Sequence, residues 1–268
     1  MSDTEGAMHP SEPLPSATVV LVRDGAAEPE LLLVRRHART SFGATYVFPG
    51  GILGPDDTSV EDRCTGIEDG AASRVLELPR GGIAYFSAAI RELFEEAGVL
   101  LARTASGRFV DPAPLDDHRE PLNDGRESWS AFLERYDLRL ACDVMHYFSF
   151  WITPRELAKR FSTRFFAAEM PAGQIASHCG TEVTDSRWVS AREALEQHNT
   201  GDIELPHPTV VTLGDLERFT TTRAILDWAR KRSRDGVPCL LPAVVVDGGE
   251  RRVLMPGDPG YPAYGDVA

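Results

Sequence analysis

Apolar residues recur every three to four positions between residues 83 and 97, and polar or small residues fill most of the places between them. The recurring apolar positions are Ile83, Phe86, Ile90, Leu93 and Phe94. This period predicts an amphipathic helix over 83–97. Gly98 follows directly, at the position where a glycine commonly ends a helix.

Short aliphatic runs bounded by turn residues predict strands elsewhere in the chain. Runs at 17–22 and 31–34 flank the turn residues 24–27 and predict a hairpin, and a third strand is expected to end at 47–48. Later strands are predicted at 145–152, 163–168 and 187–189, with a terminal hairpin of 244–246 and 252–254. Further helices are predicted at 71–78, 128–136 and 191–198, with two more within 207–232.

These elements predict an α/β protein, with a mixed β-sheet sandwiched between helices. Residues 1–14 hold two prolines and no apolar period, and we expect a disordered tail there. The main domain is predicted at 15–198, and it contains a polar, partly helical insertion at about 58–82. Residues 104–125, rich in Pro, Asp and Arg, predict a surface loop. Residues 199–268 predict a C-terminal extension of helices and a hairpin, packed on the domain.

Composition narrows the functional classes. The chain has 268 residues, 42% of them hydrophobic, and its net charge of −13 argues against binding a nucleic-acid backbone. The four cysteines are far apart and form no C-x-x-C pair, which disfavours a zinc site or a disulfide framework. No apolar run approaches the length of a membrane span, and no signal pattern opens the chain, so we expect a cytoplasmic protein.

Three glutamates share one face of the predicted helix. Glu92, Glu95 and Glu96 stand at i, i+3 and i+4, where like charges cost about 0.2–0.5 kcal/mol per pair. A cation among them would remove that cost. Oxygen ligands at this density suit a hard ion, so Mg²⁺ or Mn²⁺ is the predicted cofactor.

The run from Arg91 to Val99, Arg-Glu-Leu-Phe-Glu-Glu-Ala-Gly-Val, resembles the second half of the Nudix box, R-E-U-x-E-E-x-G-U, where U is aliphatic. A match to the first half stands upstream, in Phe48-Pro49-Gly50-Gly51, with Asp57 at the place of the family's glutamate. Residues 58–90 then separate the two halves, 33 residues where the family pattern has seven. One Nudix subgroup carries such an interruption, and it includes a coenzyme A diphosphatase.

The resemblance extends beyond the box and implies a Nudix fold over nearly the whole chain. Its further segments are Trp151-Ile152-Thr153-Pro154, Thr163-Arg164-Phe165-Phe166, Asp185-Ser186-Arg187-Trp188 and Met255-Pro256-Gly257-Asp258. It also implies that both half-boxes converge on one metal site, so Gly50-Gly51 should lie close to Glu92 and Glu96 whatever the length of the insertion.

The metal ligands that the resemblance implies are Glu92 and Glu96, with Glu95 as a further ligand or bridge and the backbone carbonyl of Gly50 beside them. Arg91 is expected to pair with Asp57. For the general base, a glutamate on a distant loop is common in the family, and Glu182 is the candidate. An ordinary exposed loop acid is the equal alternative for Glu182. The catalytic residues are thus predicted to be Glu95, Arg91 and Glu182.

Substrate contacts are predicted from cations and aromatics near the expected cleft: Arg35, Arg36, Arg164 and Phe165. For Arg164 and Phe165 a solvent-facing strand edge is the alternative, and for the basic cluster Arg35–Arg39 a solvated strand end.

The function implied is metal-dependent hydrolysis of a nucleoside diphosphate linked to another group. Coenzyme A or acyl-coenzyme A is the first choice, giving 3′,5′-ADP and (acyl-)4′-phosphopantetheine, and ADP-ribose or a dinucleotide such as NADH is the alternative. A non-catalytic Nudix-like domain that senses a nucleotide or binds a partner is the alternative of another class. The expected partner is a small nucleotide substrate, without nucleic acid or membrane, and the sequence leaves a monomer or a homodimer open.

Overall fold

The structure is a computed structural model that describes residues 11–36, 45–180 and 182–264. The first ten residues of the predicted tail lie outside this part, and a strand already begins at Leu14. The strands are Leu14–Arg23 (β1), Glu30–Arg36 (β2), Tyr46–Val47 (β3), Gly50–Ile52 (β4), Cys64–Thr65 (β5), Ala102–Arg103 (β6), Arg139–Ala141 (β7), His146–Ile152 (β8), Phe161–Glu169 (β9), Val183–Ser190 (β10), Cys239–Leu240 (β11), Ala243–Asp247 (β12) and Glu250–Leu254 (β13).

Seven α-helices and several short 3₁₀ turns connect these strands in the described residues. The helices are Asp69–Val75 (α1), Ile83–Ala97 (α2), Arg119–Asn123 (α3), Trp129–Arg135 (α4), Ala191–Thr200 (α5), His207–Leu216 (α6) and Thr222–Asp235 (α7). The 3₁₀ turns are Pro55–Thr58, Glu61–Arg63, Ala113–His118 and Cys142–Val144. No helix within the described ranges has both the length and the apolar character needed to cross a membrane.

The main sheet is mixed, as predicted. Its strands run in the order β10-β2-β1-β9-β8-β11, with β3 paired to β2 and β4 paired to β1. β1 is parallel to β9 and antiparallel to β2 and β4, while β8 is antiparallel to β9. The predicted hairpin of β1 and β2 and the terminal hairpin of β12 and β13 are both present.

Hydrophobic cores cover both faces of the sheet. Along β1 the side chains alternate, so that Val19 and Leu21 join the core on one face and Val20 and Val22 join the core on the other. Burial on both faces explains why β1 is a continuous aliphatic run. Helix α2 packs in the first core, and helices α5, α6 and α7 pack in the second. The domain boundary at 198/199 stays a prediction.

Helix α2 has the bounds that the apolar period predicts. It ends at Gly98, whose φ of 67° is left-handed and whose N–H donates to the carbonyl of Phe94 at 2.9 Å. Glycine adopts this conformation without a steric penalty. The chain reverses there, and Val99 enters the first core.

The loop predicted at 104–125 is wrong in its second half. A 3₁₀ turn and then α3 occupy residues 113–123, and Leu115 and Leu122 are buried in the first core. Proline and aspartate in this segment suggested a loop, but Pro114 stands in the first turn of the 3₁₀ helix, where its missing N–H costs nothing. Strand β10 is also longer than the three residues predicted at 187–189.

Candidate active site

The two half-boxes meet where β4 lies against α2. The N–H of Gly50 donates to Glu96 Oε2 at 2.9 Å, in a buried position. A Cβ added to Gly51 would lie 2.4 Å from the carboxylate of Glu92. Any residue larger than glycine at this position would therefore displace the Glu92 side chain. The prediction that Gly50-Gly51 lies close to Glu92 and Glu96 is therefore confirmed.

Arg91 pairs with Asp57, as expected. Arg91 Nε lies 3.2 Å from Asp57 Oδ1 and Nη2 lies 3.0 Å from Oδ2, which makes a two-point charge-assisted contact. Asp57 is fully buried. It also accepts hydrogen bonds from Ser87 Oγ at 2.9 Å and from the N–H of Gly54 at 2.7 Å. Four donors thus satisfy a carboxylate that has no contact with water.

The same guanidinium spans the glutamates of α2. Arg91 Nη1 donates to Glu92 Oε1 at 2.9 Å and to both carboxylate oxygens of Glu95 at 3.2 Å. Glu95 is only 2% exposed, and burial raises its pKa to about 8 against the opposing pull of Arg91. The neighbouring carboxylates in turn raise the pKa of Arg91 above its usual value. Three carboxyl groups, those of Asp57, Glu92 and Glu95, thus share the single guanidinium of Arg91.

The donor set fits a hard divalent cation, although the side chains are not gathered around one point. In the part of the chain that the structure describes, no three His, Cys, Asp or Glu side chains form a ready metal cluster. Arg91 holds Glu92 and Glu95, and the Gly50 N–H holds Glu96. All three carboxylates nevertheless stand on one helical face beside the Gly50-Gly51 turn, and oxygen ligands of this kind suit Mg²⁺ or Mn²⁺.

A cavity of about 860 Å³ opens beside the glutamates. At one end it is lined by Gly50, Gly51, Arg91, Glu92 and Glu95. The rest of the lining is largely apolar. Phe48 precedes the glycine turn, and the other apolar residues come from β8, β9, the start of α6 and the terminal hairpin; they include Trp151, Phe161, Phe165, Pro206, Pro208, Val244 and Val253. Cavities of this size accommodate small organic ligands.

Glu182, the candidate general base, lines the same cavity as Glu92 and Glu95. Its side chain is half-buried, just before β10 begins at Val183. The position agrees with a role at the site, while the role itself stays a prediction.

Of the two predicted contacts in β9, the structure brings Phe165 to the cavity and takes Arg164 away from it. Consecutive residues of a strand face opposite sides of a sheet. Arg164 is 4% exposed and lies between the rings of Tyr85 and Phe150, 4.4 Å from each centroid. The prediction that Arg164 contacts substrate, and its alternative of a solvent-facing edge, are therefore both wrong. Phe166 is likewise buried in the first core.

The basic cluster at the end of β2 is described only in part. Arg35 is half-buried, and its Nε donates to Thr184 Oγ1 of β10 at 3.3 Å. It is not among the described residues that line the cavity. Arg36 belongs to β2, but its side chain and the following residues 37–39 lie outside what the structure describes. A phosphate contact by this cluster stays a prediction.

Lys159 and His207 are two lining residues that sequence reasoning missed. Lys159 is exposed on the connection between β8 and β9, with Nζ 5.3 Å from the ring centroid of Phe161. His207 opens α6, and its ring lies 6.0 Å from that of Trp151. Burial lowers the pKa of His207, which favours its uncharged form. No motif surrounds Lys159 or His207. The only sequence signal for a cavity in this region is the Trp151–Pro154 segment of the resemblance.

Comparison with protein families agrees with this geometry. The family described as the NUDT19 Nudix domain matches residues 68–216, more than half of the chain. The acyl-coenzyme A diphosphatase NUDT19 of Xenopus laevis is 25% identical over 283 residues, which cover 91% of this chain and 74% of that protein. The human protein of the same name is 29% identical over 192 residues, covering 67% of this chain and 51% of its own length.

A solved structure has the same fold. The crystal structure of a NUDIX hydrolase from Alicyclobacillus acidocaldarius superposes with a TM-score of 0.70 at 26% identity. The match covers 81% of this chain and 96% of that one.

Proposed function

The chain belongs to the Nudix hydrolases, in the family of the NUDT19 Nudix domain, and from that premise we propose that it hydrolyses the diphosphate bridge of coenzyme A or an acyl-coenzyme A. The products would be 3′,5′-ADP and 4′-phosphopantetheine or its acyl form. The relatives from Xenopus laevis and human carry this activity in their names.

One observation carries the proposal: an acidic, glycine-bounded end and an apolar arm share one cavity. The glutamates of α2 stand at the end where a diphosphate would bind. The arm, with Trp151 and Phe165, offers the apolar surface that a pantetheine chain and an acyl group would bury. Neither ADP-ribose nor a free nucleotide has a group that needs an arm of this kind.

We propose Mg²⁺ or Mn²⁺ as the cofactor, held by Glu92, Glu95 and Glu96. The excess of carboxylates over cations at this end supports a divalent ion. When bound, such an ion neutralises the diphosphate oxygens and helps to activate the attacking water. A backbone carbonyl ligand from Gly50 remains part of the proposal, although in the structure Gly50 contacts Glu96 through its N–H.

We propose a separate role for each of the chain's own residues. Asp57 orients Arg91, and Arg91 in turn fixes the carboxylates of Glu92 and Glu95. Glu182, which also lines the cavity, would accept the proton of the attacking water. Lys159, at the exposed margin, would meet a phosphate of the adenosine half.

A comparison of substrates tests the proposal. We expect kcat/KM with Mg²⁺ or Mn²⁺ to be highest for coenzyme A or an acyl-coenzyme A, above 3′-dephospho-coenzyme A, ADP-ribose and NADH. The products should be resolved by mass, so that cleavage in the diphosphate is seen directly. If ADP-ribose or NADH is preferred by about tenfold, a difference of ~1.4 kcal/mol, the coenzyme A proposal falls. Binding without turnover of any of them would favour the nucleotide-sensing alternative.

The cytoplasmic location and the choice between a monomer and a homodimer stay predictions from the sequence. A size measurement in solution decides the second.

A further inference from the structure

We propose that the box insertion positions the catalytic helix, and that Asp69 and Ser73 of α1 are its positioning residues. Together they supply the N-terminal cap that α2 does not have in its own sequence. The activity part of the test rests on the proposed function and the binding part on the proposed metal site, whereas the exchange part rests on neither.

The first turn of α2 lacks a local side-chain cap. The residue before it is Gly82, which has no side chain to offer. A helix leaves its first N–H groups without internal partners, and each needs an acceptor. Here the acceptors come from the insertion: Asp69 Oδ1 accepts from the N–H of Ile83 at 3.0 Å, and Ser73 Oγ accepts from the N–H of Gly82 at 2.9 Å.

Asp69 also accepts a second amide. Its Oδ2 receives the N–H of Gly81 at 3.1 Å, so one carboxylate closes the turn before the helix and the helix start together. Asp69 and Ser73 stand four residues apart, on one face of α1. A carboxylate at this end of α2 also complements the positive pole of the helix dipole.

The two helices touch through their backbones. A Cβ added to Gly82 would lie 2.3 Å from the backbone N of Ser73, so a larger residue cannot occupy this position without moving α1. The close approach leaves α1 and the start of α2 little freedom to slide against each other.

The other end of α1 is tied to the sheet. Arg164 of β9 donates from Nη2 to the carbonyl of Leu76, the residue that ends α1, at 3.2 Å. Arg164 is held in turn between Tyr85 of α2 and Phe150 of β8. Helix α1 therefore bridges the central strand β9 and the N-terminus of α2.

The consequence for the site follows from the rigidity of α2. Glu92 is nine residues after Ile83, about 14 Å along the helix axis. Because Glu92 lies against Gly51 without room for a Cβ, a small shift of α2 changes how the glutamates face the glycine turn. A misplacement of about 1 Å that originates far from the reacting atoms can lower the rate by about a hundredfold.

The test uses the full chain with Asp69→Ala, the rescue variant Asp69→Asn and the control Glu68→Ala. Asparagine has a single acceptor oxygen, so it can keep the hydrogen bond from the N–H of Ile83 but not the one from the N–H of Gly81 as well. Glu68 is exposed and its side chain makes no capping hydrogen bond. Glu68→Ala therefore removes an acidic side chain next to Asp69 but no acceptor for the amides of α2. Three quantities are measured: the Mn²⁺ dissociation constant by calorimetry without substrate, kcat and KM at saturating Mn²⁺, and hydrogen exchange over residues 83–86.

We expect Asp69→Ala to weaken Mn²⁺ binding by about threefold or more. We expect kcat to fall by about tenfold with KM within about twofold of wild type. Exchange over 83–86 should become faster, Asp69→Asn should recover part of each change because it keeps one of the two acceptors, and Glu68→Ala should behave as wild type. If Asp69→Ala lowers only the melting temperature and leaves Mn²⁺ binding and kcat unchanged, α1 does not position the site and the proposal is overturned.

Two safeguards keep the test decisive. If Asp69→Ala does not fold, Ser73→Ala removes a single acceptor and is judged by the same three measurements. If the wild-type chain binds Mn²⁺ but cleaves no coenzyme A, the proposed function falls, while Mn²⁺ affinity and exchange still decide the role of the insertion.

Discussion

Asp57 and Arg91 are 34 positions apart in the sequence and form a two-point ion pair, with Nε–Oδ1 and Nη2–Oδ2 distances of 3.2 and 3.0 Å. The side chain of Asp57 is fully buried and that of Arg91 is 13% exposed. The pair spans the box insertion and fixes the guanidinium that contacts Glu92 and Glu95. Removing one partner of such a pair leaves a buried charge without compensation.

We therefore predict that Asp57→Asn lowers the free energy of unfolding by about 3 kcal/mol. The change keeps the shape of the side chain but removes the charge that Arg91 needs. Urea unfolding measures the loss. The control is Asp62→Asn, an exposed acid of the same insertion, which should change stability by less than about 0.5 kcal/mol. Equal effects of the two substitutions would contradict the importance of the pair.

The metal ligands give the second prediction. Glu92→Gln and Glu96→Gln should each reduce turnover to a few per cent of wild type or less, because each removes a charge from the proposed cation site while keeping side-chain size. Circular dichroism should show an intact fold, and Glu134→Gln, an exposed helical glutamate, should keep full activity. Turnover above about a tenth of wild type in folded Glu96→Gln, a barrier change of only ~1.4 kcal/mol, would show that the ligands are wrongly assigned.

Much of this geometry could be predicted from the sequence because local patterns determine it. The apolar period fixes the bounds of α2, and Gly98 fixes its end. The order of residue types in the two half-boxes identifies which acid meets Arg91, although the insertion hides the spacing. These features depend on neighbours in sequence or on a strict motif.

Other features depend on contacts between distant elements, and the sequence does not state them. Arg164 and Phe165 are adjacent, and which of them faces the cavity is decided by how β9 lies against Tyr85 of α2. The capping role of Asp69 depends on the backbone approach of α1 to Gly82. The only sequence signal for this capping role is Ser73 four positions after Asp69, with the pair Gly81-Gly82 following them.

A third prediction concerns the glycine turn. Gly51→Ala would bring a Cβ to 2.4 Å from the carboxylate of Glu92. Since that carboxylate is the end of a flexible side chain, it can give way, and we expect activity to fall by about tenfold or more with little loss of stability. Gly54→Ala is the matched control, because its Cβ would meet Asp57 Oδ2 at an ordinary 3.5 Å. Similar activity of both variants would argue against a tight contact at Gly51.

Asp69 gives a pH-dependent prediction. The N–H of Ile83 contributes most to lowering the pKa of Asp69 below its usual 3.8, against the opposing effect of burial. A depressed folded-state pKa stabilises the fold above the unfolded-state value, and this stabilisation is lost as pH falls through the folded-state value. Wild type should therefore exceed Asp69→Asn in unfolding free energy by about 0.3–1 kcal/mol near pH 7, with the gap closing below about pH 4. Urea unfolding across this range measures the gap, and a gap that persists at low pH would contradict the assignment.

The last prediction separates the two halves of the proposed substrate. Coenzyme A differs from 3′-dephospho-coenzyme A only in one phosphate, and Lys159 is an exposed cation on the cavity lining. A charge-assisted contact is worth about 1.5–3 kcal/mol when shielded and up to about 1 kcal/mol when exposed, so we expect Lys159→Ala to lower kcat/KM for coenzyme A by about fivefold. For 3′-dephospho-coenzyme A the loss should stay within about twofold, because the partner phosphate is missing. Lys159→Arg should retain the preference for coenzyme A. An equal loss for both substrates would mean that Lys159 meets the diphosphate or the protein fold, and the 3′-phosphate would then bind elsewhere.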